Sequence, residues 1–229
     1  MAINSKTNKT KAIPFAVKDC ALLAIATGKR AQNLRELREH LLTIHPESIY
    51  YHFWGGLLRP RFDEREYQND FALWARRGLR DLTLAERLAI IDPSDFPDLE
   101  SLRQELIEVI EERLDQVEHV PWCKRDQQFH FIRSQVVVFD TGIRLQRPEQ
   151  LRGAIGKLSE GSVFYHLIDA RRRNADKSDD FRNWLNGLDD KHHALCDCIA
   201  AIDPLFGTLT ELRELLVDCV DRHLEGDAQ

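Results

Sequence analysis

Residues 15–59 read FAVKDCALLAIATGKRAQNLRELREHLLTIHPESIYYHFWGGLLR, and residues 129–173 read FHFIRSQVVVFDTGIRLQRPEQLRGAIGKLSEGSVFYHLIDARRR. The two stretches align without a gap at a constant offset of 114, with 11 of 45 positions identical. Average composition would give roughly 3 identities by chance. The shared residues include Phe15/Phe129, Thr27/Thr141, Gly28/Gly142, Ser48/Ser162, Tyr51/Tyr165, His52/His166 and Arg59/Arg173. Beyond a four-residue gap the register resumes at offset 110 with Asp70/Asp180, Phe71/Phe181 and Trp74/Trp184. It ends with Leu102/Leu212, Arg103/Arg213, Leu106/Leu216 and Leu114/Leu224. An internal duplication decides the architecture before any single element is assigned.

Each copy begins with an apolar β run, Cys20–Ala26 in the first and Gln135–Phe139 in the second, closed by Thr-Gly, where glycine accepts positive φ. Helical patterns follow at about 33–44 and 148–158, then a short helix with Ser48 or Ser162 as its cap, then one opened at Asn69-Asp70 or Asp179-Asp180. Thr83-Leu-Ala-Glu86 and Thr208 with Glu211 read as capping boxes. Asp92-Pro93 and Asp203-Pro204 break the chain before a closing helix with a 3.6-residue apolar stripe. A lone strand per copy leaves backbone groups unpaired, so the two strands are expected to pair across a pseudo-twofold axis. The expected fold is α+β and predominantly helical: two pseudo-twofold-related repeats, each one strand plus about five helices, sharing a small central sheet. The boundaries are a basic arm over 1–13, repeat 1 over 14–114, a connector over 115–128 and repeat 2 over 129–225. Trp74 and Trp184 are expected as buried core anchors.

Composition narrows the function. The chain has 229 residues, 43% hydrophobic and 31% charged, with a formal net charge of -6. This excludes disorder and a collagen-like or disulfide-scaffold sequence. No apolar run reaches membrane-spanning length, so no membrane partner is expected. The acidic balance and the absence of a recognition motif disfavour nucleic acid. The five cysteines (Cys20, Cys123, Cys196, Cys198, Cys219) are odd in number and irregularly spaced, and read as structural or incidental thiols in a cytoplasmic protein.

The most distinctive pattern is Ser-x-aromatic-Tyr-His followed by Asn/Asp-Asp-Phe-x-x-Trp: Ser48 to His52 with Asn69 to Trp74, and Ser162 to His166 with Asp179 to Trp184. Tandem copies of this pattern resemble a bacterial and archaeal family known only as a domain of unknown function. The resemblance covers nearly the whole chain after residue 13. It implies no activity; an association with carbohydrate metabolism is its one functional hint. The second copy departs from the pattern at Asp179, which puts any role of an amide there in doubt.

Three readings of the motif compete. In the structural reading, His52 and His166 bond Asp70 and Asp180 and staple two helices. In the ligand reading, Tyr51, His52, Arg59, Asp70, Tyr165, His166, Arg173 and Asp180 line a site for a carboxylate or phosphate, with Arg61, Arg65, Arg171 and Arg172 adding positive charge. In the enzymatic reading, the His and Asp residues hold a metal, but no HExxH or comparable ligand spacing exists. Asp189-Asp190-Lys191-His192-His193 reads as a charged loop. No catalytic residue, metal site or cofactor is assigned. The expected function is a non-catalytic interaction or regulatory module with an unknown protein partner. The alternative is a binder of an anionic small molecule, such as a sugar phosphate, at the inter-repeat groove; a metal-dependent enzyme is weaker still.

Overall fold

The computed structural model describes residues 13–59, 66–188, 190–205 and 207–224. Residues 1–12 of the expected basic arm and the arginines Arg61 and Arg65 lie outside them, as do Asp189 and the side chain of Asp190. The chain is α+β and predominantly helical. A long strand opens each half: β1 (Phe15–Ala31) and β2 (Phe129–Leu145) pair with each other in a two-stranded sheet. After β1 come α1 (Leu34–Leu41), α2 (Pro46–Trp54), α3 (Asp70–Trp74), α4 (Leu82–Ala89) and α5 (Leu99–Gln116). After β2 come α6 (Gln150–Ile155), α7 (Glu160–Val163), α8 (Ala170–Arg173), α9 (Asp180–Asn186), α10 (His193–Ala200) and α11 (Leu209–Leu224). A π-helical turn, Ala75–Leu79, extends α3, and another, Phe164–Asp169, joins α7 to α8.

The strands are longer than the apolar runs because Thr-Gly does not end them. Gly28 and Gly142 both take φ near 76°, inside the strand. There the chain kinks and continues. The Thr27 hydroxyl donates to the Phe131 carbonyl at 2.7 Å and accepts from Lys29 N–H at 3.2 Å. Thr141 repeats this with Val17 and Ile143 at 2.6 and 3.2 Å. A threonine hydroxyl thus ties each kink to the neighbouring strand.

Two compact units result, and their boundaries cut through the strands. Among the described residues, one lies within 21–137; the other joins 13–20 with residues from 138 to 224. The first unit buries Leu34, Leu37 and Leu41 of α1 against Leu102, Leu106 and Ile110 of α5, with Leu84 and Leu88 of α4 and with Phe71, Phe129 and Phe131. The connector belongs to it: Cys123 N–H donates to Gln32 O at 2.8 Å, and Asn33 bridges to Trp122. The other unit buries Leu151 and Ile155 of α6, Leu212, Leu216 and Val220 of α11, and Phe15, Val17, Phe164 and Phe181. The start of each strand thus packs against helices from the other half of the sequence.

Several local expectations change. Ser48 and Ser162 lie inside helices rather than capping them; His45 and Ser159 are the caps, accepting from Glu47 N–H and Ser162 N–H. Asp81, not Thr83, caps α4, because its carboxylate accepts from Leu84 N–H while also holding Arg113 at 2.8 Å. The Thr208–Glu211 box is present, with Thr208 N–H on Glu211 Oε2 at 2.6 Å. Trp74 is buried, but Trp184 is half-buried. The cysteines are not all thiols: Cys198 and Cys219 form a disulfide, because α10 and α11 pack together and bring their Cα atoms within 5.8 Å.

Candidate functional site

Two equivalent clusters form around the repeated histidines, each within one unit. In the first, helix α2 presents Ser48 and His52, four residues apart and so on one face. Both reach residue 132 of β2. His52 Nε2 accepts from Ile132 N–H at 3.2 Å, and the Ser48 hydroxyl donates to Ile132 O at 2.8 Å. One helix turn therefore satisfies both backbone groups of Ile132. Ser134 adds a third link, its hydroxyl donating to Glu47 O at 3.0 Å. On its other side, His52 Nδ1 lies 2.9 Å from Asp70 Oδ2 at the start of α3. The ring packs against Phe129 and Phe71, with centroids 4.6 and 5.3 Å away.

The second cluster repeats this. His166 Nε2 accepts from Lys18 N–H at 2.8 Å, and its Nδ1 lies 2.8 Å from Asp180 Oδ2. Phe15 packs against His166, Phe181 and Trp184 at 4.9, 5.2 and 5.4 Å. The Cys20 thiol donates to Gly161 O at 3.2 Å, where Ser134 serves in the first cluster. Glycine is required at 161, because a Cβ there would collide with the Cys20 carbonyl oxygen. Burial pushes the Cys20 thiol up to about 12, with Asp169 adding to the rise, so it stays a protonated donor. The indoles close both arrangements: Trp74 Nε1 donates to Gln127 O at 2.8 Å and Trp184 Nε1 to Ile13 O at 2.9 Å.

These contacts set the chemistry of the imidazoles. A backbone N–H can only donate, so each Nε2 carries the lone pair and each Nδ1–H donates to the aspartate. With both nitrogens engaged and the rings only 4% and 2% exposed, neither is available to a ligand while the strand is in place.

The tyrosines and arginines flank the clusters. Arg173 stacks on Tyr165 at 3.9 Å and binds Asp180 and Asp169, each at 2.9 Å. Burial raises the Asp180 carboxyl, but the hydrogen bonds from His166 and Arg173 outweigh it and hold the group below its usual value. Burial likewise raises the Tyr165 hydroxyl. Arg59 stacks on Tyr51 at 4.6 Å, and no carboxylate among the described residues pairs with it. Arg172 binds Asp169, and Arg171 donates to Ile202 O at 3.2 Å.

The copies differ where the sequences do. Asn69 caps α3 through Ala72 N–H and uses its amide on Leu88 O at 2.9 Å. Asp179 caps α9 but has no amide, and its second oxygen holds Arg182 at 2.5 Å. Sequence reasoning misses the strand-side partners, although the Phe15/Phe129 identity marks them. It also misses Asp169, because the first copy has Gly55 at its place.

Among the described residues no group of three or more His, Cys, Asp or Glu side chains could hold a metal ion. No helix among them is long and apolar enough to cross a membrane. No curated protein matches the chain. Among solved structures it is similar to OrfY from Thermoproteus tenax, at 27% identity and a TM-score of 0.79, over 93% of this chain and 96% of that one. The model described as "Family of unknown function (DUF5752)" matches residues 12–221, and the chain belongs to that family.

Proposed function

We propose that this chain is a non-catalytic interaction or regulatory module, built from two copies of one strand-plus-five-helix unit. The observation that carries the reading is the exposed apolar surface of its strands. Leu23 on β1 is 50% exposed, and Val138, Phe139 and Ile143 on β2 are 44%, 50% and 51% exposed. Exposed apolar side chains on sheet strands are a common basis for partner binding. The histidine motifs support the same reading, since their nitrogens are spent on holding the strands. A photo-crosslinking residue at position 139 tests it in cells that make the protein. A protein adduct at 139, absent with the same residue at the exposed Glu112, is the expected result; equal labelling at both positions overturns the reading. Carbohydrate metabolism is the setting that the family resemblance suggests for such a partner. A cytoplasmic location is part of the proposal on sequence grounds, and the Cys198–Cys219 bridge weighs against it, because cytosolic thiols are generally kept reduced.

Arg59 favours a second reading, a site for an anionic small molecule such as a sugar phosphate. Its guanidinium is exposed and stacked on Tyr51, with Gly55 where Asp169 supplies a carboxylate in the second copy. Calorimetric titration with a hexose phosphate tests this: binding lost in Arg59→Ala supports it, and no binding to the wild type removes it.

A further inference from the structure

We propose that the Cys198–Cys219 disulfide is a redox-operated lock on α11, opened by a dithiol reductant. Helix α11 closes the core of the unit that contains His166: Leu209, Leu212, Leu216, Val220 and Leu224 are buried along it. Polar ties accompany this packing. Arg213 donates to Leu158 O at 2.8 Å, beyond the end of α6, and Arg152 of α6 meets Asp221 at 2.8 Å. The bridge adds a covalent tie from α11 to α10 across 21 residues. At the matching places the first copy has Arg87 and Val109, and its α4 and α5 are joined by ion pairs, Arg87 to Glu112 at 3.6 Å and Arg113 to Asp81 at 2.8 Å. α6 has 6 residues, where α1 has 8. The cross-link is a covalent restraint on this unit that the first copy does not have, since Arg87 and Val109 stand at the matching places.

The surroundings favour opening from outside. Cys219 is 3% exposed, whereas Cys198 is half-buried, so an incoming thiolate attacks Cys198 Sγ. The new S–S bond forms there, and Cys219 leaves as a thiolate and takes up a proton. The second thiol of the reductant then attacks the mixed disulfide, frees Cys198 and departs as an intramolecular disulfide. Two electrons pass from the reductant to the protein. The other thiols do not compete: Cys20, Cys123 and Cys196 are all held protonated, chiefly by burial, and Cys196 is further engaged with Asn186 Oδ1 at 3.4 Å.

The test uses the full-length protein with dithiothreitol as the dithiol. Thiol counting in denaturant, without reductant, should give the 3 free cysteines of the structure, and 5 after treatment of the folded protein. Hydrogen exchange should then speed up in 209–224 by on the order of tenfold or more, with 99–116 unchanged. Cys219→Ser should reproduce the faster exchange without reductant; should that variant not fold, the dithiothreitol comparison decides alone. Five free thiols before treatment, or unchanged exchange in α11 after full reduction, overturns the proposal.

Discussion

At the scale of single residues, the chemistry turns on what His52 and His166 hold. Each joins a backbone N–H to a carboxylate, so truncation leaves the strand N–H of Ile132 or Lys18 without its acceptor and removes the imidazole's bond to Asp70 or Asp180. His52→Ala or His166→Ala should each cost about 1–3 kcal/mol in denaturant-unfolding experiments, by the usual penalty for orphaned buried groups. Long-range proton–nitrogen NMR should find both rings neutral with the proton on Nδ1. Asp180 makes the acid limb of stability predictable. Its folded-state carboxyl lies below the ordinary 3.8, so its contribution is complete above that value and is lost as pH falls through the lower folded one. Asp180→Asn should therefore flatten the stability loss of the wild type in that acidic window, as read by melts at stepped pH. The Asp partners are legible in the repeated spacing. The strand-side donors are not, because Lys18 and Ile132 contribute only backbone N–H groups, which no side-chain motif records.

At the scale of elements, two glycines mark different constraints. A methyl group at position 28 would meet nothing within 4 Å, so Gly28→Ala faces only the cost of φ near 76°, about 1–2 kcal/mol. Gly161 has an ordinary backbone but abuts the Cys20 carbonyl, so Gly161→Ala must push β1 away from α7. It should also cost about 1–3 kcal/mol, as overpacking does, and should specifically disturb the amide resonances of residues 18–20. Thr-Gly reads in the sequence as a turn-like pair, but its role as a kink inside a longer strand depends on hydroxyl bonds to the neighbouring strand. Arg103 is legible as a repeated residue and nothing more. In the fold it directs its donors to the carbonyls of Leu41 and Ile44 at the end of α1 and to Glu100. The shift of the α4 cap from Thr83 to Asp81 has a similar origin: Arg113 of α5 stabilises the carboxylate at Asp81.

At the scale of the whole molecule, the unit 21–137 is continuous in sequence and holds its own core, its own paired strand segments and the complete His52 cluster. As an excised fragment it should fold and unfold cooperatively, which circular dichroism with chemical denaturation would show. Residues 138–224 alone should not fold, because Phe15, Val17 and Lys18 N–H are then missing from the His166 cluster. A cooperative melt of 138–224 by itself would show that these strand contacts are dispensable.

The periodicity of Leu99 to Leu114 and Leu209 to Leu224, the Asp and Asn caps and the spacing of His to Asp all follow from local preferences, and so helical content, element order and the two histidine motifs were determined along the chain itself. Which strand segment enters which cluster and which cysteines meet depend on contacts between residues from 21 to 148 positions apart. No local propensity encodes such contacts. They were decided only when the apolar faces of the helices packed and the backbone N–H groups of Lys18 and Ile132 found acceptors on the imidazoles.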